Sequence, residues 1–118
     1  MRRSDPAGTA AEVREFLVEA FGAQPRRSWG FDALYHRGRL FVIFDGAELV
    51  GKWPPAIRVE LRAAVPGVHA FMDDTDSPTA NWQSVPLAAV GASRGIELAL
   101  GAAAYVHTLE GAPRRRRI

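Results

Sequence analysis

Residues 29–53 constrain this chain more than any other segment. The stretch is dense in β-branched and aromatic residues, and two turn-forming pairs interrupt it, Arg37-Gly38 and Asp45-Gly46. An Asp-Gly pair between apolar runs reads as a tight hairpin, because both central residues of such a turn can take positive φ. Arg37-Gly38 is the weaker signal, since arginine is uncommon at positive φ. Three antiparallel strands are therefore predicted, over about residues 31–36, 39–44 and 47–53. With two-residue loops at both turns, Tyr35 faces Leu40, Ala33 faces Val42, Phe31 faces Phe44, and Val42 in turn faces Leu49. Period-two alternation then gives one sheet side made of Phe31, Ala33, Tyr35, Leu40, Val42, Phe44, Ala47, Leu49 and Gly51, which reads as the core side. The other side falls into three rows: acidic Asp32, Ile43 and Glu48; apolar Leu34, Phe41 and Val50; and basic His36, Arg39 and Lys52. An exposed apolar strip predicts a partner, a ligand or cover by a terminal segment or loop of the same chain, so Leu34, Phe41 and Val50 form a candidate interface, with self-association as a homodimer the first use of it.

The remaining elements follow from punctuation and periodicity. Thr9-Ala10-Ala11-Glu12 is a capping-box pattern, and Val13, Phe16, Leu17 and Ala20 recur at helical spacing behind it, so a helix is predicted over 10–21 with Gly22 as its stop. Pro54-Pro55 opens a second helix along Ile57, Leu61, Ala64 and Val65, closed by Pro66-Gly67. Strands are predicted over 68–72 and 82–87, separated by a polar loop over 73–81. A last helix runs from about Ser93 to Leu109, with His107 on its apolar face. The order α-β-β-β-α-β-β-α predicts an α+β two-layer sandwich, a five-stranded antiparallel sheet covered by helices on one face. A chain of 118 residues suits one such domain, over 9–110, between a flexible basic N-terminus (1–8) and a flexible arginine-rich tail (111–118).

Charge is unevenly placed. The pI is about 9.7, yet six of the fifteen basic residues lie in the tails: Arg2, Arg3, Arg114, Arg115, Arg116 and Arg117. Without them, nine basic face thirteen acidic side chains, so the body is acidic. His36, Arg37, Arg39, Lys52 and the four tail arginines are the candidate nucleic-acid or anion contacts. The absence of cysteine excludes disulfides and thiolate chemistry. No uninterrupted apolar run approaches the roughly 18–20 residues that span a bilayer, and the N-terminus lacks a secretory pattern, so a cytoplasmic protein without a membrane partner is expected.

Catalytic and cofactor motifs are not found. His36, His69 and His107 stand 33 and 38 residues apart on separate predicted elements, without metal-ligand spacing. His107 reads as a hydrogen-bonded boundary histidine. Asp73, Asp74 and Asp76 resemble part of a calcium loop but lack its glycine and distal glutamate. Gly91-Ala92-Ser93-Arg94-Gly95 opens a helix without being a phosphate loop. Trp29, Trp53 and Trp82 all flank strands, where large rings close the ends of a small core. With no base–nucleophile pair, a non-enzymatic protein without cofactors is expected, and no small-molecule ligand can be named.

The runs Gly38-Arg39-Leu40-Phe41-Val42-Ile43-Phe44, Leu49-Val50-Gly51-Lys52, Val65-Pro66-Gly67-Val68 and Trp82-Gln83-Ser84-Val85-Pro86-Leu87 resemble the YjbR/MmcQ-like family and the related N-terminal domain of TfoX-type competence regulators. The similarity covers about residues 16–107. It implies an α-β3-α-β2-α fold and a DNA-binding or regulatory role, described as a double-wing motif. By this resemblance Lys52 matches the lysine that ends the third strand and Trp82 the tryptophan that opens the fifth. One departure is chemical: many such sequences carry His and Lys before that tryptophan, where this chain has Asp73, Asp74 and Asp76, which would repel a phosphate backbone. Two functional readings stand beside each other, a DNA-binding regulatory module and a protein-interaction domain acting through the open sheet face.

Overall fold

The computed structural model describes residues 6–28, 30–71 and 82–111. Helix α1 spans Pro6–Phe16 and continues as a π-helical turn over Leu17–Phe21, ended by Gly22 at φ 86°. Thr9 therefore lies inside the helix, buried, and does not cap its start as the capping-box pattern suggested. Pro6 suits a first turn, where its missing N–H costs nothing. The sheet strands are β1 (Gln24–Ser28), β2 (Phe31–His36), β3 (Arg39–Asp45), β4 (Glu48–Gly51), β5 (His69–Ala70) and β6 (Gln83–Pro86). Helix α2 spans Pro55–Ala64, and α3 spans Leu87–Gly111 with a break at Gly91, φ 87° and ψ 167°.

All pairings are antiparallel, in the order β1-β2-β3-β4-β6-β5. The α+β architecture is as expected, but among the described residues the sheet has six strands rather than five. The additional strand, β1, reads Gln-Pro-Arg-Arg-Ser and is largely exposed. It has no apolar alternation of its own and owes its conformation to pairing with β2.

Both tight turns form, and one bulge changes what they imply. Arg37 and Gly38, at φ 54° and 78°, make the two-residue loop that pairs His36 with Arg39 and Tyr35 with Leu40. The next partner of Leu34 is then Val42, so Phe41 is an extra, unpaired residue on β3. Everything N-terminal to it, residues 31–40, is inverted relative to an unbroken ladder. The second loop is Gly46-Ala47 rather than Asp45-Gly46, closing on the pair Asp45 and Glu48. Only Gly46 is at positive φ there, 62°, as a type II′ turn requires. This moves the register by two residues and leaves the faces unchanged.

Leu34, Phe41, Val42, Phe44, Leu49 and Val85 consequently face the helices. They pack with Val13 and Leu17 of α1, Leu61 of α2 and Leu98, Ala99, Ala102 and Val106 of α3. By length and composition α3 is apolar enough to cross a membrane. Arg94 and Glu97 interrupt its apolar run, so no continuous apolar stretch announces it in the sequence. In this fold it is the central core helix.

The second face is not open. Ala33, Ile43 and Val50 are fully buried there with Trp82, and Phe31, Tyr35, Leu40 and Phe71 pack against them. Phe31 on β2 and Phe71 beyond β5 come from opposite corners of the sheet, yet their ring centroids lie 5.5 Å apart, edge to face. A flat sheet would hold strands this far apart at well over 10 Å, given about 4.8 Å per strand. The sheet is thus strongly coiled, and its corners close over a second small core.

Candidate functional site

The predicted apolar interface does not exist as a surface. Leu34 and Phe41 lie beneath the helices, Val50 lies in the second core, and all three are fully buried. The basic row is also divided. His36 and Arg39 are cross-strand partners on the helix side, whereas Lys52 follows Gly51 and belongs to the other face. Asp32, expected in an acidic outer row, is on the helix side. Arg114, Arg115, Arg116 and Arg117, the basic N-terminal residues, Trp29 and the carboxylates Asp73, Asp74 and Asp76 all lie outside the described residues. Trp82 is almost wholly buried in the second core and packs there as the strand-flanking reading expected.

Arginines with no periodic pattern to mark them gather at the free edge of the sheet. Among the described residues, strand β1 has a neighbour only in β2. The pairing of Arg27 with Asp32 and Arg26 with Ala33 puts these two arginines on opposite sides of the edge. Arg14 reaches from α1 to Asp32, its Nε donating to Oδ2 at 2.7 Å and an Nη2 to Oδ1 at 3.3 Å. Both side chains are about one-third exposed, so this fork contributes no more than about 1 kcal/mol after solvent screening. The Arg26 guanidinium sits 4.9 Å from the centre of the Tyr35 ring, and the Tyr35 and Ser28 hydroxyls are 2.8 Å apart. Arg27 donates to the Gly30 carbonyl. Arg14, Pro25, Arg26, Arg27 and Asp32 line an open hollow of about 400 Å³. Three arginines and one carboxylate thus border one hollow at this edge, with Arg26 on the face opposite Arg27 and Asp32. The available signal was the Pro-Arg-Arg run itself, a pattern by which exposed edge strands resist pairing with other chains.

A second hollow, of about 290 Å³, lies where the β2–β3 hairpin meets α3, lined by Phe21, His36, Arg37, Leu100, Ala103, Ala104 and His107. The spacing of the histidines hid their proximity: the rings of His36 and His107 are 5.6 Å apart. His107 Nε2 donates to the His36 carbonyl at 3.0 Å, which makes it the hydrogen-bonded boundary residue it was expected to be. The His36 ring stacks on Phe21 at 4.2 Å, and its Nδ1 is buried with no hydrogen-bond partner among the described residues. Burial first, then the charges of Arg37 and His107, lower the His36 pKa below 6.5. His36 is therefore neutral at pH 7 and adds no charge to the basic hairpin tip. Among the described residues, no three His, Cys, Asp or Glu side chains come together in a way that could hold a metal ion.

No family model, curated protein or solved structure matches this chain.

Proposed function

We propose that this domain is a non-enzymatic, cytoplasmic regulatory module that engages the phosphate backbone of DNA through the arginine-bearing edge of β1. The observation that carries the reading is the placement of Arg26 and Arg27 on β1, the outermost strand among the described residues, at a hollow that Arg14 and Asp32 also line. Guanidinium groups grip phosphate oxygens in a fork geometry and release condensed counterions when they do so. Arg37 stands on the turn that closes β2 onto β3, past the Gln24 end of the same edge, and lengthens the basic track. The reading agrees with the role implied by the YjbR/MmcQ-like resemblance, but it moves the contact from the row of His36, Arg39 and Lys52 to β1.

The test is fluorescence anisotropy of a labelled DNA duplex titrated with the full chain at several salt concentrations. Binding should weaken linearly in log–log form as salt rises. The double variant Arg26→Ala/Arg27→Ala should bind more weakly and reduce that slope by about 2, roughly one for each phosphate no longer neutralised. Removing residues 114–118 should leave measurable binding. The proposal fails if anisotropy is unchanged at low salt, or if the double variant keeps the wild-type slope.

A further inference from the structure

Three departures from regular backbone meet at the hollow between the β2–β3 turn and α3. The π-helical turn over Leu17–Phe21 ends on Phe21, whose ring forms one wall. Such turns recur at functional sites. Arg37, at φ 54°, is the one non-glycine residue at positive φ among the described residues, and it stands at the rim. Glycine, asparagine or aspartate suits that turn position better, so the turn alone does not call for arginine. The bulge on β3 turns Phe41 inward, where its ring supports the edges of Phe21 and His36. Bulges and left-handed non-glycine residues concentrate at ligand sites.

The hollow, of about 290 Å³, is close to the lower end of the roughly 300–1,000 Å³ common for small-molecule sites. Its α3 wall is Leu100, Ala103, Ala104 and His107, a spacing of three, four and seven that puts them on one helix face. The two alanines leave room there that larger side chains would fill. Arg37 is exposed, and it has no carboxylate partner among the described residues. Its charge lies close enough to the His36 ring to add to the effect of burial in lowering that group's pKa. The rim therefore offers one accessible cation above walls that are mostly apolar. Its complement is a single negative charge on an apolar body.

We infer that this hollow is a binding site for a small aromatic monocarboxylate. The carboxylate pairs with the Arg37 guanidinium at the rim, and the ring lies against Phe21, Leu100, Ala103 and Ala104. The inference does not rest on DNA binding, and its test contains no nucleic acid.

Phenylacetate is a suitable probe at pH 7, with phenylacetamide as its uncharged counterpart. In ¹H–¹⁵N spectra of the full chain, phenylacetate should shift the amide signals of Arg37, Gly38 and residues 100–104 in a saturable manner. Phenylacetamide should bind about tenfold or more weakly, the loss expected when a hydrogen-bonded charge is removed. Arg37→Asn keeps a residue that tolerates positive φ and should weaken phenylacetate binding by a similar factor. Ala104→Leu fills the hollow from an exposed position on α3, where leucine is also a good helix former, and should abolish the shifts while the spectrum stays dispersed. The inference is overturned if phenylacetate shifts none of these signals, or if the amide binds as tightly as the acid. Wild-type affinity in Arg37→Asn, or in a folded Ala104→Leu protein, would overturn it equally.

Discussion

Replacing Phe41 with alanine should cost about 4 kcal/mol of stability, although an unbroken hairpin would have placed this ring in solvent. Phe41 is fully exposed in that alternative and fully buried in this fold, where it meets the edge of Phe21 at 5.8 Å and of His36 at 6.4 Å. A buried phenyl side chain removes roughly 150–250 Å² from water. At about 25 cal/mol/Å² this is about 4–6 kcal/mol. Residual structure in the unfolded chain lowers such figures by roughly 10–40%, which brings them to the roughly 3–5 kcal/mol found for Phe→Ala in cores. A domain of this size has roughly 6–18 kcal/mol in total, so the variant should fold but unfold early. In urea, with an m-value of about 2 kcal/mol/M, the midpoint should fall by about 2 M at unchanged slope. Val59, which is 68% exposed on α2, provides the control: Val59→Ala should stay within about 0.5 kcal/mol of wild type. A Phe41→Ala protein that loses less than about 1 kcal/mol would place the ring on the surface and exclude the bulge.

Two further outcomes follow from the packing. Gly51→Ala should lower stability by about 1–3 kcal/mol, because the new methyl overlaps the Trp53 ring and cannot be relieved by a flexible tip; calorimetry should show a Tm lower by roughly 4–12 °C, and an unchanged Tm would mean the ring is not seated against β4. The lowered pKa of His36 makes stability depend on pH. Because the unfolded chain binds this proton more readily than the folded one, the contribution is present above pH 6.5 and is lost as pH falls through the folded value. Denaturant midpoints measured across that window should drop for wild type and drop less for His36→Phe, which keeps a ring on Phe21; parallel profiles would show that His36 is not desolvated.

Much of the architecture is legible in the residues themselves. Gly38, Gly46 and Gly22 mark backbone reversals because positive φ is cheap only there, and Pro54-Pro55 followed by an apolar stripe announces α2. The order of helices and strands, β1 apart, needs only local chemistry. The single residue that decides the faces, Phe41, sits in the run Leu40-Phe41-Val42-Ile43-Phe44. Where both sides of a sheet are buried, apolar residues on either side are equally acceptable, and period-two patterning carries no information about a one-residue slip. The phase is set by non-local fit: α1, α2 and α3 accept Leu34 and Phe41, while the coiled sheet folds Phe31 and Phe71 over Ala33, Ile43 and Val50.

The arginine edge was hidden for a related reason. A polar segment such as Gln24–Ser28 has no periodicity to detect and becomes a strand only because β2 offers its backbone partners. The meeting of His36 with His107 likewise depends on α3 crossing the sheet at one particular place. Local sequence determined where this chain turns and, β1 apart, which segments are helix or strand, since those depend on φ, capping and propensity within a few residues. Only the tertiary structure decided which side chains are inside and which charges share a surface, because burial is a property of contacts between distant segments.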